Sequence, residues 1–129
     1  MDAEKFLLVD DHVVIRTGLR VLLTDLYPFA EIHEANDGES MLKKLREHEF
    51  RLIVLDIQMP NTESISLLST VVAKYPSASV LVYSMSSEAV YAKRFIKAGA
   101  KGFLSKEAPL TELKKAINQV LNQKRYLSE

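Results

Sequence analysis

The strongest constraint on the fold is an alternation, repeated five times, of short apolar runs and longer amphipathic stretches. Each run fits a β-strand, and each following stretch places its apolar residues at helical spacing. The five strand segments are residues 6–9, 30–35, 52–55, 80–83 and 102–104. Strands that alternate with helices form a parallel sheet, because a helix carries the chain back to the same edge. The pattern predicts one α/β domain with helices on both faces of the sheet.

Local signals mark several of the element boundaries. Residues 30–35 are more polar than the other strands, which favours an edge position. Residues 59–61 read Met-Pro-Asn and predict a turn after the third strand. Pro76 predicts the end of the third helix, Gly99 the end of the fourth, and Pro109 the start of the fifth.

Length and composition fit one compact domain. The chain has 129 residues, no cysteine and a formal net charge of zero. A neutral chain has no basic field for nucleic acid or an anionic membrane, and a chain without cysteine has neither disulfides nor thiolate metal sites. No signal peptide or spanning segment is recognisable, so we expect a cytoplasmic protein. The domain is predicted to cover residues 1–123, with residues 124–129 beginning a linker.

Side chains that can bind a metal ion or take part in a reaction follow four of the predicted strands. Asp10 and Asp11 come after the first strand and Asp56 after the third. Ser84 comes directly after the fourth strand, and Lys106 comes shortly after the fifth. Ligands of open parallel sheets bind at the carboxyl ends of the strands, near a switch in strand order. We therefore expect these five side chains to lie at one edge of the sheet.

Such a set is suited to phosphoryl transfer. Three carboxylates in one place repel one another unless a cation joins them, and an all-oxygen cluster suits Mg²⁺. An aspartate can act as the nucleophile toward phosphorus and form an acyl phosphate. Mg²⁺, the Lys106 ammonium and the Ser84 hydroxyl would then contact the oxygens of the phosphoryl group on Asp56.

Four segments resemble the site motifs of bacterial response-regulator receiver domains, the CheY-like family. They are residues 7–12 (LLVDDH), 54–60 (VLDIQMP), 83–84 (YS) and 104–106 (LSK). Each motif alone is weak, but the four occur in order at consecutive strand ends. The resemblance implies a single (βα)5 flavodoxin-like domain, a doubly wound parallel sheet of five strands in the order 2-1-3-4-5.

The resemblance also implies a role for each matching residue. Asp56 would be the phosphoacceptor, and Lys106 would pair with the phosphoryl group. Ser84 would sense that group, and Phe103 would be the aromatic switch residue. The implied Mg²⁺ ligands are Asp10, Asp11, Asp56 and the backbone carbonyl of Gln58.

Three further segments resemble the NarL/LuxR type of two-component transcription regulators. They are residues 12–20, 98–104 and 125–128. This resemblance implies a sensor histidine kinase as phosphoryl donor and a helix-turn-helix DNA-binding domain beyond this chain, with no DNA contact by this domain itself. It also implies a homodimer on phosphorylation, through helices 1 and 5 or through helix 4, strand 5 and helix 5. Val14 and Val21, off the main apolar stripe of helix 1, are candidates for that surface.

Other interpretations remain open at this point. The aspartates can serve as helix caps or turn residues, and the three histidines fit a surface role without metal. One rival function is a constitutive interaction module that works without phosphorylation. Another is an aspartate-dependent phosphatase, but Gln58 stands where such enzymes usually carry an acid. Ser64 and Met85 depart from common receiver residues and affect the expected rates rather than the chemistry.

Overall fold

The computed structural model describes residues 3–59, 62–85 and 89–127. Pro60 and Asn61 of the predicted turn lie outside the described residues, as does Ser128; Pro60 is also the last residue of the 54–60 motif. The strands are β1 (Lys5–Val9), β2 (Glu31–Ala35), β3 (Leu52–Leu55), β4 (Ser79–Ser84), β5 (Gly102–Ser105) and β6 (Tyr126–Leu127). The helices are α1 (Val13–Leu26), α2 (Gly38–Glu47), α3 (Ser64–Lys74), α4 (Ala89–Lys97) and α5 (Leu110–Leu121).

The sheet is parallel throughout and has the strand order β2-β1-β3-β4-β5-β6. The predicted order 2-1-3-4-5 is confirmed. A sixth strand of two residues, at positions predicted to begin a linker, extends the sheet beyond β5. The chain moves from β1 to β2 on one side and to β3 on the other, so the order reverses between β1 and β3. In such a sheet the ligand crevice lies at this reversal, beyond the carboxyl ends of the two strands.

The sheet separates two apolar layers, because neighbouring residues of a strand face opposite sides. In β1, Phe6 and Leu8 pack in one layer with residues of α1 and α5, whereas Leu7 and Val9 pack in the other with residues of α2, α3 and α4. All four residues of β3 are buried, as expected for a strand covered on both faces. The central strands are therefore held firmly, and their carboxyl ends form a rigid base for side chains.

Two helix ends show how local sequence fixes the boundaries. Before α2, Asp37 accepts a hydrogen bond from the Ser40 N–H at 2.7 Å, and the Ser40 hydroxyl lies 3.3 Å from the Asp37 N–H, which completes a capping box. After α4, the Gly99 N–H donates to Ile96 and the Ala100 N–H donates to Phe95. This Schellman pattern requires the left-handed φ of +118° that Gly99 adopts.

No helix in residues 3–59, 62–85 and 89–127 has the length and apolar character needed to cross a bilayer.

Candidate functional site

The strand ends bring Asp10 and Asp56 side by side. The Asp10 N–H donates to the Ala35 carbonyl at 3.1 Å, and the Asp56 N–H donates to the Val9 carbonyl at 2.8 Å. These two bonds continue the sheet ladder one residue beyond the strands. Asp10 is 2% exposed and Asp56 is 1% exposed. Both carboxylates are thus fixed at the reversal point of the sheet, where the sequence predicted a site.

Lys106 enters the same site from the opposite side. Its backbone N–H donates to the Ser84 carbonyl at 2.7 Å, which anchors the residue beside the end of β4. Its ammonium Nζ lies 2.7 Å from Asp10 Oδ2 and 3.6 Å from Asp56 Oδ2. The side chain is almost fully buried, so the ammonium contacts both carboxylates in a poorly hydrated place. Ser84 is fully buried at the end of β4.

His12 is a member of the acidic cluster that the sequence interpretation did not assign. Its backbone N–H donates to Asp10 Oδ1 at 2.9 Å. Its ring Nδ1 lies 2.9 Å from Asp10 Oδ1, 3.2 Å from Asp11 Oδ1 and 3.9 Å from Asp56 Oδ2. The His12 side chain is half exposed, whereas those of Asp10 and Asp56 are buried, so the ring contacts the cluster from its solvent side. The sequence feature that could have identified His12 is its position directly after the aspartate pair at the end of a strand.

The donor set fits a divalent cation. Ligand atoms of Asp10, Asp11, His12 and Asp56 lie within 4.8 Å of one another. Three carboxylates against the single ammonium of Lys106 leave a formal charge of minus two when His12 is neutral. Among the described residues, the buried atoms Asp11 Oδ1 and Asp56 Oδ2 receive no hydrogen bond. Because a buried carboxylate oxygen without a partner is costly, the pair is suited to an oxygen-preferring cation.

Burial raises the pKa of Asp56, and the neighbouring Asp10 carboxylate adds to this increase. The Gln58 N–H, which donates to Asp56 Oδ1 at 3.0 Å, acts in the opposite direction, as does the Lys106 ammonium. The net rise means that the protein resists a negative charge at this position. A bound cation would reverse that balance and favour the ionised, nucleophilic form.

Ser64 stabilises the loop that follows Asp56. Its hydroxyl donates to the Ile57 carbonyl at 2.7 Å, and the side chain is buried at the first turn of α3. Glu63 caps the same helix by accepting from the Ser66 N–H at 2.7 Å. The serine thus tethers the loop through its side chain, which glycine cannot do. Met85, just after β4, is half exposed, whereas Ser84 at the end of that strand is fully buried.

Arg16 is a positioning residue that sequence reasoning missed. Its guanidinium donates to the backbone carbonyl of Asp10 and, through Nε, to Glu34 Oε1 at 2.9 Å. Glu34 also accepts from Arg20 Nε at 2.7 Å. The guanidinium therefore ties the loop that carries the aspartate pair to α1 and to β2. Arg16 and Arg20 both stand at helical spacing on α1, and nothing in the sequence distinguished Arg16.

Phe103 lies on β5, the strand next to β4. It is paired with Val82 in the β4–β5 register and is 2% exposed. Its ring centroid is 6.3 Å from that of Phe95 on α4. The aromatic ring therefore packs inside the domain against the helix that borders the site.

The geometry gathers Asp10, Asp11, Asp56 and Lys106 at one point, with Ser84 at the end of the adjacent strand and Gln58 bonded to Asp56. Comparison with protein families gives a match to the model described as the response regulator receiver domain, over residues 6–118. The chain belongs to this family. It is a receiver domain of a two-component response regulator of the NarL/LuxR kind.

Individual relatives agree with this assignment. The receiver domain is 32% identical to the response regulator GacA of Pseudomonas syringae pv. syringae over 96% of this chain and 58% of that protein. It superposes with a TM-score of 0.88 on a LuxR-family two-component response regulator from an Aurantimonas species, with 28% identity over 98% of this chain and 90% of that one. The signal receiver domain of the response regulator NarL from Mycobacterium tuberculosis gives a TM-score of 0.82, 26% identity, and coverage of 96% and 100%.

The chain thus spans less than two thirds of the length of the GacA protein that it resembles. Receiver domains bind Mg²⁺ at an acidic site of the kind formed by Asp10, Asp11 and Asp56. They interact with histidine kinases, and some of them dimerise.

Proposed function

We propose that this receiver domain is switched by phosphorylation of Asp56, with the phosphohistidine of a sensor histidine kinase as the donor. The observation that carries the proposal is the environment of the Asp56 carboxylate. It is buried, close to two other carboxylates, and 3.6 Å from the ammonium of Lys106. Burial and the two carboxylates oppose its charge, and Lys106 offsets only part of this cost, so the arrangement does not serve a purely structural aspartate.

The transfer balances as a nucleophilic displacement at phosphorus. A carboxylate oxygen of Asp56 attacks the phosphorus atom and forms a P–O bond, while the P–N bond to the donor imidazole breaks. The imidazole leaves with the electron pair and takes up a proton, and an acyl phosphate remains on Asp56. Lys106 is placed to pair with one oxygen of the new group, and Ser84 lies at the adjacent strand end to donate to another.

Mg²⁺ would be held by the carboxylates of Asp10, Asp11 and Asp56 together with the backbone carbonyl of Gln58. When bound, it supplies positive charge that neutralises the carboxylates and the phosphoryl oxygens. The oxygens of Asp11 and Asp56 that receive no hydrogen bond among the described residues support this assignment. The protein's own part is to fix the ligands, which the ladder bonds of Asp10 and Asp56 achieve.

Switching would proceed from Ser84 to Phe103. If the hydroxyl of Ser84 moves to the phosphoryl group, the packing between β4 and β5 changes, and the Phe103 ring can follow. Phe103 contacts Phe95 of α4, so its movement would alter the face formed by α4, β5 and α5. That face is one candidate for a phosphorylation-dependent homodimer. The other is formed by α1 and α5, where Val14 is 82% exposed and Val21 is 65% exposed.

The proposal extends to the protein as a whole. We infer a cytoplasmic transcription regulator in which a helix-turn-helix DNA-binding domain follows the receiver domain of residues 1–123. Its connection would begin at residues 124–129, of which Tyr126–Leu127 pair with β5 as strand β6. The likeness of this chain to LuxR-family response regulators supports this inference. The 129-residue chain carries no formal net charge, and the receiver domain itself would not contact DNA.

The direct test is intact mass spectrometry after incubation with Mg²⁺ and acetyl phosphate, a small phosphoryl donor. We expect one added phosphoryl group on the wild-type chain, none on Asp56→Asn, and none on wild type when EDTA replaces Mg²⁺. The matched control is Asp25→Asn, an exposed acid on α1 that should accept the group as wild type does. An adduct that persists in Asp56→Asn would refute the acceptor assignment.

The same samples discriminate between the rival functions. No adduct together with no Mg²⁺ binding would favour a constitutive interaction module. Steady release of phosphate from a monoester substrate would favour a phosphatase, although Gln58 gives the site no acid at the position that such enzymes use. Sedimentation velocity before and after phosphorylation tests the proposed homodimer. We expect the sedimenting species to change from one chain to two.

A further inference from the structure

A second group of metal-ligating side chains lies at the free edge of the sheet. Glu31 and His33 are two residues apart on β2, so both side chains face the same side of the strand. His48 follows the last residue of α2 and is the C-cap of that helix. We name these three residues the edge cluster. The sequence interpretation gave its histidines a surface role without metal, but both are partly buried.

The edge cluster is separate from the acidic site. Glu31 begins β2, where its N–H donates to the Glu4 carbonyl, whereas Ala35 ends the strand beside Asp10. Five residues of strand place these two ends about 13 Å apart. His33 pairs with Leu7 in the middle of β1 rather than with the residues at its carboxyl end. Ligands at the two sites are therefore distinguishable by substitution.

The three side chains already converge. His33 Nε2 lies 2.5 Å from Glu31 Oε1, and the His33 and His48 ring centroids are 4.4 Å apart. One ligand atom from each of the three residues lies within 4.8 Å of the other two. Metal bonds of about 2.0–2.2 Å require ligand atoms about 3.3–3.6 Å apart around a tetrahedral ion. The necessary adjustment is of the order of 1 Å, and the half-exposed Glu31 side chain is free to make it.

Phe50 orients both imidazoles. Phe50 is 3% exposed and its ring lies steeply inclined to each histidine ring, at 81° and a centroid distance of 5.4 Å for His33 and at 69° and 5.9 Å for His48. Because Phe50 already packs against both imidazole rings, the two histidines lose little rotamer freedom when they bind an ion. Pre-organisation of this kind is what raises affinity at a small site.

We propose that Glu31, His33 and His48 form a binding site for a divalent transition-metal ion that prefers imidazole, with Zn²⁺ as the representative ligand. Two imidazoles and one carboxylate are a known zinc ligand set and leave a fourth position for water. Mg²⁺ prefers an all-oxygen environment and would not compete here. The site also lies at the carboxyl end of α2, where the helix dipole favours a cation.

Lys44 sets the affinity of this site. Its ammonium Nζ lies 3.5 Å from His33 Nδ1. When Nε2 binds a metal, Nδ1 carries the proton and needs an acceptor, which an ammonium group cannot provide. Lys44 must therefore turn away on binding, and its charge also opposes the ion. A glutamine at this position would offer a carbonyl oxygen to the Nδ1–H and remove the repulsion.

The alternative is a purely structural role, in which the edge cluster only holds β2 and α2 together through a hydrogen bond and ring packing. Such a role predicts a loss of stability on substitution but no metal affinity. Calorimetric titration of the chain with ZnCl₂ separates the two interpretations. Millimolar Mg²⁺ in every sample occupies the acidic cluster, which is the competing place for Zn²⁺ because it contains His12.

We expect one equivalent of Zn²⁺ to bind to wild type, and the imidazole NMR signals of His33 and His48 to shift while that of His12 stays. Affinity should fall more than tenfold in His48→Gln and in Glu31→Gln, stay unchanged in His12→Gln, and rise about tenfold in Lys44→Gln. Circular dichroism verifies the fold of each variant. If His48→Gln does not fold, Glu31→Gln, which changes an exposed residue, carries the test.

Two results would overturn the proposal. One is the absence of saturable Zn²⁺ binding in the presence of Mg²⁺. The other is binding that survives both His48→Gln and Glu31→Gln but disappears in His12→Gln, which would assign the ion to the acidic cluster. Neither result bears on phosphorylation of Asp56, since that reaction uses different residues.

Discussion

Neutralising Asp56 should stabilise the metal-free domain, because its carboxylate is buried among like charges. The ligand atoms of Asp10 and Asp11 lie within 4.8 Å of that of Asp56, so each pair of charges repels by at least about 3.5 kcal/mol at an effective dielectric constant of about 20. The attraction to Lys106 at 3.6 Å returns about 4.6 kcal/mol. Roughly 2 kcal/mol of net repulsion remains, before the cost of burial is added.

The variant Asp56→Asn removes this repulsion and keeps the hydrogen bond from the Gln58 N–H, because an amide oxygen also accepts. We expect the free energy of unfolding at neutral pH in EDTA to rise by about 2 kcal/mol, which corresponds to about 5–10 °C in Tm for a domain of this size. Urea denaturation followed by circular dichroism measures it. The control Asp25→Asn, an exposed acid, should change stability by less than about 0.5 kcal/mol.

The pH dependence provides an independent check. Because the folded-state pKa of Asp56 is raised, stability from this group is present at low pH and is lost as pH rises through that pKa. The advantage of Asp56→Asn should therefore shrink on acidification, when Asp56 of wild type becomes protonated. Mg²⁺ should stabilise wild type and have a much smaller effect on the variant. A variant that is equally or less stable than wild type in EDTA would refute the reasoning.

Two further predictions concern the scaffold. Gly99→Ala should destabilise the domain by about 2 kcal/mol or more, because φ is +118° and a Cβ would lie 2.8 Å from Val72. Gly18→Ala lies in the middle of α1 with nothing within 4 Å of its Cβ, so it should stabilise the domain by about 0.5–1 kcal/mol. Shifts of the urea midpoint in the same direction for both variants would contradict this. Tyr126→Phe should cost about 1 kcal/mol, because Tyr126 donates to Glu112 Oε1 at 2.7 Å. Burial and that hydrogen bond raise the pKa of Tyr126 to about 12, so the stability of wild type relative to the variant should fall between pH 10 and 12, as unfolding titrations would show; a constant difference would argue against the bond.

The position of the site in the sheet was predictable, because ligands of open parallel sheets bind at the carboxyl ends of the strands, near a reversal of strand order. Asp10 and Asp56 end neighbouring strands at the reversal of strand order, and strand alternation alone identified that edge. The side-chain contacts around them were not predictable. The bond from Arg16 to the Asp10 carbonyl and the bond from Ser64 to the Ile57 carbonyl depend on rotamers and loop paths that have no sequence period.

Two other features escaped prediction for different reasons. Tyr126–Leu127 form β6 in only two residues, too short for a periodic pattern, and the turn before them uses Gln123 with a positive φ of 61°. His33 and His48 belong to different elements, and only the packing of α2 on β2 and Phe50 brings their rings together. Local sequence describes elements well, but it does not describe which side chains meet across them.

The proposed function explains why the domain tolerates a destabilising group at its centre. Elsewhere the local signals agree with the fold, as the capping box of α2 and the Schellman motif of α4 show. The repulsion at Asp56 differs from that agreement, and at neutral pH a bound cation or a charge-neutralising partner would relieve what Lys106 leaves uncompensated. Because the metal-free domain is destabilised by this repulsion, a cation that removes it binds more tightly. Phosphorylation, which also changes the charge at Asp56, then has a larger effect on the conformational equilibrium. A better stabilised Asp56 would therefore be a weaker switch.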